Sequence, residues 1–275
     1  MKISTAAAAL IASALLLAGC SSDDAPATPA GTSASGDASS TEGSGSSADV
    51  ELVAGDTLTV CTNAPFEPFE FEENGEIVGF DMDITGEVAK DLGVDQEVIN
   101  VAFDAMESGA ALTSGQCDIA AAGISINDER AQNVDFSEPY FDADLGLLAA
   151  ADAALTSEDA LAGKTVAVQI ATVGEDWAEA KGLEAIQYAD LGLQVQALKT
   201  GQVDAVINDV FVLGAYEGDG FGVTATFPTE DRYGLAVAKG NTALLEAINA
   251  TLDRIEGDGT YDTLYEARIG VAHEG

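Results

Sequence analysis

The chain is predicted to be an α/β protein of two similar halves facing one cleft, and two observations carry that prediction. The first is Cys117-Asp118-Ile119-Ala120-Ala121-Ala122-Gly123-Ile124-Ser125-Ile126-Asn127-Asp128-Glu129-Arg130, which reads as a buried strand ending at Gly123, a polar corner and a short helix carrying an arginine. The second is a recurrence: Ala111-Leu112-Thr113-Ser114-Gly115-Gln116-Cys117-Asp118 is echoed by Ala197-Leu198-Lys199-Thr200-Gly201-Gln202-Val203-Asp204, each a helix end, a Gly-Gln turn and a strand. A unit repeated once over so long an interval points to two α/β halves, because a solenoid needs more and closer copies. Five residues past the two aspartates stand Gly123 and Asp209. Open α/β sheets bind ligands outside the carboxyl ends of their strands, so these positions are expected to face one cleft from opposite sides.

The chemistry of the two positions is complementary. Gly123 lacks a Cβ and lets the backbone approach a ligand, and the corner after it offers amides and the Ser125 hydroxyl. Asn127 suits a helix cap, with Asp128 and Glu129 in the first turn. Arg130 opposes the helix dipole there, so either a carboxylate of the chain or an incoming anion has to justify it. With 48 acidic residues a salt bridge is the nearer explanation from the residues alone. A cation at Arg130 facing an anion at Asp209 is, however, what a zwitterion requires.

From the N-terminus, Lys2 supplies a positive segment, Ala6 to Leu17 an apolar one, and Leu17-Ala18-Gly19-Cys20 a small-residue cleavage site ending in cysteine. This pattern resembles a bacterial lipobox, which implies removal of residues 1–19 and lipidation of Cys20. Residues 20–55 are expected to be a tether: from Ser21 to about Val50 the chain is rich in Ser, Gly, Ala and Thr and cannot bury enough surface to fold. The remaining length and a 47% hydrophobic composition allow a sizeable core. Loss of the leader removes Lys2 as its one charge and takes the formal net charge from −38 to about −39. So acidic a chain is a poor partner for nucleic acid or anionic lipid, and its acidity bears on solubility and salt, not on fold. Cys61 and Cys117 remain, and a bridge and two buried thiols are equally open.

Val60-Cys61-Thr62-Asn63 ends a first strand, and Pro65-Phe66-Glu67-Pro68-Phe69-Glu70-Phe71 follows as an aromatic loop stiffened by prolines. Phe66 is the site candidate there, Phe69 and Phe71 the core candidates. Asn74-Gly75 marks a hairpin, and Phe80, Ile84, Val88 and Leu92 recur at helical spacing. Asp81 and Asp83 are expected to cap and solvate that helix. A calcium loop is excluded because its twelfth position is Leu92. The lone histidine, His273, is expected in a loose tail over 271–275.

Pro68-Phe69-Glu70-Phe71, Gly79-Phe80-Asp81-Met82-Asp83-Ile84, the stretch from Gly123 to Arg130 and Asp135-Phe136-Ser137-Glu138-Pro139-Tyr140 together resemble the family 3 extracellular solute-binding proteins. These are amino-acid receptors of ABC importers, and the resemblance covers about residues 56 to 270. It implies a two-lobe periplasmic-binding-protein-like (type II) fold with a ligand cleft between lobes joined by two crossover strands. Lobe 1 would take residues 56–142 and 234–270 and lobe 2 residues 145–231, with crossovers near Phe141 to Asp144 and Thr229 to Tyr233. The residue matching Arg130 would clamp the ligand α-carboxylate, helped at Gly123 and Ser125, and Asp209 would receive the α-ammonium. Asn63, Phe66, Gln169 and Thr172 match positions that line the side-chain pocket or add carboxylate contacts.

The chain departs from that pattern at Ala171-Thr172, where Gly-Thr is usual, at Asn63, where an aspartate often meets a basic side chain, and in a longer segment after Phe103. Without that aspartate a basic ligand is disfavoured unless Glu67 or Glu107 substitutes. A dicarboxylic ligand would need a second cation, for which Arg232 is the placed candidate. The expectation is therefore a monomeric, lipid-anchored extracytoplasmic receptor for a polar neutral amino acid such as glutamine, working with an ABC permease and without metal or cofactor. The rivals are a dehydratase-like enzyme on the same scaffold and a sensing domain for a signalling partner. No Ser-His-Asp set can be assembled for the enzyme, and neither cysteine has a histidine to activate it.

Overall fold

The structure, a computed structural model, describes residues 50–273; the leader, Cys20 and residues 21–49 of the tether lie outside that span. In chain order the strands and helices are β1 (Thr57–Thr62), β2 (Phe71–Glu73), β3 (Glu76–Val78), α1 (Phe80–Leu92), β4 (Asp95–Asn100), α2 (Phe103–Glu107), α3 (Ala110–Thr113) and β5 (Ile119–Ala120). There follow β6 (Val134–Phe136), β7 (Phe141–Ala150), β8 (Thr165–Gln169), α4 (Val173–Ala180), β9 (Glu184–Tyr188), α5 (Leu191–Lys199), β10 (Ala205–Asp209) and α6 (Val210–Gly214). The chain ends with β11 (Phe221–Tyr233), β12 (Ala236–Ala238), α7 (Thr242–Asp258) and α8 (Thr260–Ile269).

These elements build two five-stranded sheets, in the orders β4-β1-β5-β12-β6 and β11-β7-β10-β8-β9. Each is mixed, with a parallel centre that needs helical crossovers and antiparallel strands beside it. Both central strands are covered on two faces. Ile119 and Ala121 belong to one apolar cluster and Ala120 and Ala122 to another, so alternate side chains enter different cores.

The repeated octapeptides occupy equivalent places in the two sheets. Gly115 and Gly201 both take left-handed backbone, at φ 70° and 73°, to turn from helix to strand. The Asp118 carboxylate then accepts from the Thr59 amide of β1 at 2.9 Å, and Asp204 from the Thr165 amide of β8 at 2.9 Å. Each aspartate thus ties the repeated unit to the parallel strand beside it.

Helix boundaries follow their caps. Asp190 and Asn241 side chains accept from the amides of Leu193 and Leu244 at the starts of α5 and α7. Gly259, at φ 79°, closes α7 and opens α8. The hairpin signal is realised with Asn74 and Gly75 both at positive φ between β2 and β3.

The two sheets are joined by the long strands β7 and β11, which pair antiparallel from Phe141↔Tyr233 to Phe221↔Ala150, with a register break between Phe227 and Asp231. An aromatic cluster holds the near end of this ribbon. Phe69 lies edge-on to Phe141 and Tyr233 at 4.8 and 5.2 Å, and Phe80 to Tyr261 at 5.4 Å.

Several local expectations change. The strand after Asp118 is two residues long, Ile119–Ala120, and Gly123 beyond it takes left-handed backbone at φ 53°. The arginine-bearing helix is a single 3-10 turn, Arg130–Gln132, whose start is held by Asn127 Oδ1 accepting from the Arg130 amide at 2.8 Å. Asp81 is not solvated but wholly buried, while Asp83 pairs with Arg268 at 2.6 Å. The last residues assigned to the tether pack on the fold: Val50 and Leu52 rest against the core, and the Val53 amide donates to Asp118 at 2.7 Å. His273 is not loose either, lying 5.0 Å from the Tyr261 and Tyr265 rings and 3.0 Å from Asp262.

Cys61 and Cys117 form a disulfide with a Cα–Cα distance of 5.7 Å. Cys61 is on β1, opposite Ala120 in the register, and Cys117 lies before β5 begins. No helix among the described residues is long and apolar enough to cross a membrane.

Candidate functional site

At the carboxyl ends of β1, β8 and β10 the two halves enclose a cavity of ≈ 20 Å³, about the room of one water. Asn63, Phe66, Gly123, Ser125 and Arg130 line it from the first half, and Gln169, Thr172 and Asp209 from the second. The structure therefore brings all eight sequence-selected candidates to one place.

On the first side the backbone makes the cradle. A Cβ on Gly123 would stand 2.7 Å from Phe66 Cε1 and 3.1 Å from a Tyr233 ring carbon, so only glycine fits at that position. Its amide is turned away from the cavity and donates to Asp81 Oδ2 at 2.9 Å, which leaves the carbonyl as its free polar group. Asp81 also accepts from the Tyr140 hydroxyl at 2.7 Å, and burial pushes its carboxyl up to about 6 against these two bonds.

Arg130 is 3% exposed. Its guanidinium donates to the Ser125 carbonyl at 2.9 Å and, across the cavity, to the Ala171 carbonyl at 2.8 Å. It lies 5.4 Å from the Phe103 ring centroid, with Glu107 3.7 Å from Nε. Burial lowers its pKa, with the charges of Glu107, Asp176, Asp231 and Asp209 acting in the opposite sense. Phe103, whose pocket role the longer segment after it had left undecided, is part of the lining.

On the second side Gln169 ends β8 and donates to Asn63 Oδ1 at 2.9 Å, a second bond across the cavity. Asn63 is in turn fixed by donating to the Val101 carbonyl at 2.7 Å. Thr172 caps α4, accepting from the Glu175 amide. The unusual Ala171 takes φ 64°, a left-handed backbone that costs a residue with a Cβ about 1–2 kcal/mol. Its amide is held by Glu175 Oε2 at 2.6 Å, and its carbonyl is thereby aimed at Arg130.

Asp209 ends β10, and burial pushes its carboxyl up to about 7. Arg130 draws it down while Asp231 and Asp144 raise it. The Tyr233 hydroxyl lies beside it but falls short of hydrogen-bond geometry.

Glu70 also lines the cavity and was not among the candidates. The sequence showed it only as part of an aromatic loop, and nothing in that loop signals a buried carboxylate. Arg232, the candidate second cation, is exposed and lies outside the cavity, so Arg130 is the one cation lining it among the described residues. Glu67 does not reach the cavity, and Glu107 is paired with Arg130 behind it.

Two α/β lobes on a two-strand ribbon, with a buried arginine and a carboxylate facing one interlobe cavity, define a protein of the periplasmic-binding-protein type. The chain belongs to the bacterial extracellular solute-binding proteins, family 3, whose sequence profile matches residues 58–270. It is 31% identical over 214 residues to a probable histidine-binding protein of Campylobacter jejuni, covering 76% of this chain and 83% of that one. It is 36% identical over 207 residues to an ABC transporter glutamine-binding protein of Bacillus subtilis, covering 71% and 74%. Among solved structures, an ancestral arginine-binding protein bound to glutamine superposes with a TM-score of 0.74 at 40% identity, over 78% of this chain and 99% of that one. These relatives are named as solute-binding proteins and not as enzymes.

Proposed function

We propose that the protein is a membrane-tethered extracytoplasmic receptor that binds a polar neutral amino acid, glutamine-like in its side chain, and passes it to an ABC importer. The observation that carries this reading is Arg130 facing Asp209 across one cavity, with Gly123 and Asp209 at the same position of a repeated unit. In this reading Arg130 clamps the α-carboxylate with Ser125 and Thr172, Asp209 takes the α-ammonium, and Phe66 covers the aliphatic stem. Asn63 and Gln169 offer amide donors and acceptors to a side-chain amide. A dicarboxylic ligand is disfavoured because Arg130 is the cation of the lining.

The cavity is too small for an amino acid, so ligand entry needs the lobes to part about the β7–β11 ribbon. Ligand on one lobe then recruits the other, and contacts made only in the closed form shift the equilibrium. We take the lobe boundaries as 56–142 and 234–270 against 145–231, and the anchor as lipid on Cys20 after loss of residues 1–19. The relatives' service to ABC transporters supports the importer as partner, and a tethered monomer suffices for that task.

The test is a thermal-shift screen against the twenty standard amino acids, followed by calorimetry. A ligand of the native state raises stability by an amount set by its concentration over Kd. Glutamine or a similar neutral amino acid is expected to give the largest shift. Arg130→Ala and Asp209→Ala are each expected to weaken binding by about 2–5 kcal/mol. Near wild-type affinity in either variant refutes the site, and a larger shift with glutamate or lysine refutes the side-chain assignment.

A further inference from the structure

Glu70 lines the cavity, yet the receptor reading gives it no task. Its side chain is 0% exposed, and neither carboxyl oxygen has a hydrogen-bond partner among the described residues. A buried polar group left this way costs about 1–3 kcal/mol, and more if charged. Such a cost persists only if something compensates it.

The backbone holds Glu70 in place. Its amide donates to the Phe66 carbonyl at 3.2 Å and its carbonyl accepts from the Phe66 amide at 2.7 Å, so the residue cannot slide toward solvent without breaking the aromatic loop. Its ionisable neighbours are Asp81 on α1, Asp209 at the end of β10 and Tyr140 ahead of β7. None of these is a cation. Asp81 is already engaged by the Gly123 amide and the Tyr140 hydroxyl. Arg130 is engaged by two carbonyls and is not among the charges that act on Glu70. What Glu70 lacks is a donor, and the cavity that it lines is where one arrives.

We propose that Glu70 is a second acceptor for the ligand's α-ammonium, which it and Asp209 hold between them. This rests on the amino-acid reading above and deepens it. An ammonium carries three donors, more than Asp209 alone satisfies in a dry site. Before ligand binds, two neighbouring carboxyls taken out of water do not both ionise, and Glu70 keeps its proton. Burial first, then the charges on Asp81 and Asp209, hold its carboxyl well above the usual carboxylate range. The ammonium supplies the charge that reverses this balance. The Glu70 O–H bond breaks, the proton leaves to solvent, and the carboxylate formed accepts an N–H of the ligand. Binding thereby releases a proton, and affinity rises with pH.

The experiment is calorimetry of the full-length protein with the tightest of the twenty standard amino acids, in phosphate and in Tris buffer at pH 6, 7 and 8. The dependence of the heat on buffer ionisation counts the protons released. Wild-type protein is expected to release up to one proton per ligand from Glu70 at pH 8, where Asp209, raised to about 7, is already mostly ionised, and more at pH 6, where Asp209 adds its own. The Glu70 variants are compared at pH 8. Glu70→Gln, close in shape to the protonated acid, is expected to fold, to lose most of that release and to bind about tenfold to a hundredfold more weakly. Glu70→Asp is expected to recover part of the release. Wild-type affinity and proton count in Glu70→Gln overturn the proposal and leave the receptor reading standing. Should Glu70→Gln not fold, no proton release by the wild type overturns the proposal, and release that Glu70→Asp alters supports it. Failure of every standard amino acid to bind the wild type overturns the receptor reading and this proposal with it.

Discussion

Asp209 shows how a binding residue works against the stability of its own fold. Its carboxyl is raised to about 7 in the folded chain, from an ordinary value of 3.8. Between these values the native state holds more protons than the unfolded state, so stability falls as pH rises from about 4 to about 7. Asp81, raised to about 6, acts in the same sense over a narrower window. Asp209→Asn mimics the protonated acid and is expected to be more stable than wild type at pH 8, on the order of 1–3 kcal/mol, with the gap narrowing toward pH 5. Calorimetric melts at the two pH values check this; a gap independent of pH contradicts it. The variant should also bind ligand poorly. At this scale the sequence was partly legible. Arg130 and Asp209 stood out because one opposed a helix dipole and the other occupied the matching position of a repeat. Glu70 and Asp81 did not, because what makes them unusual is burial against residues far away in the chain, such as Gly123 and Tyr140.

Among the elements, the Gly-Gln turns and the strands after them made the likeness of the two halves readable. Their shared aspartate-to-strand bond lay beyond reach, because its acceptors and donors are 39 and 59 residues apart. The pairing of Cys61 with Cys117 was undecided for a related reason: the distance between the thiols depends on how two segments far apart in the chain are set side by side. The bridge spans a separation of 56 residues, and closing a loop of that size constrains the unfolded chain by about 4 kcal/mol. Reduction is expected to lower stability by roughly 2–5 kcal/mol in denaturant melts with and without reductant. An unchanged midpoint contradicts the bridge. At the start of α4, Ala171→Gly relieves a left-handed alanine and is expected to stabilise the protein by up to about 1 kcal/mol. A lower melting temperature in that variant would mean that the loop is not strained.

The whole molecule is governed by its charge, 48 acidic residues against 10 basic. Basic side chains are drawn into ion pairs: Arg254 meets Glu87, Asp91 and Asp258, and Lys239 meets Asp135. The surplus of carboxylates exceeds what so few cations can neutralise, and it repels itself. Salt screens both effects, but the repulsion involves far more charges, so the melting temperature is expected to rise between about 0.05 and 1 M NaCl. A fall would show that the ion pairs outweigh the repulsion. Composition made this property legible from the start, because it depends on numbers of charges and not on where they fold.

The bond from Arg130 to the Ala171 carbonyl affects the receptor's response without touching the ligand. That carbonyl is an internal rival for the guanidinium, present at unit stoichiometry in every molecule. Only the fraction of molecules in which the rival has let go is ready for ligand, and the measured dissociation constant exceeds the intrinsic one by the inverse of that fraction. The threshold concentration to which the receptor answers can therefore drift through evolution by changes in the Ala171 loop, with every residue that touches the ligand left as it is.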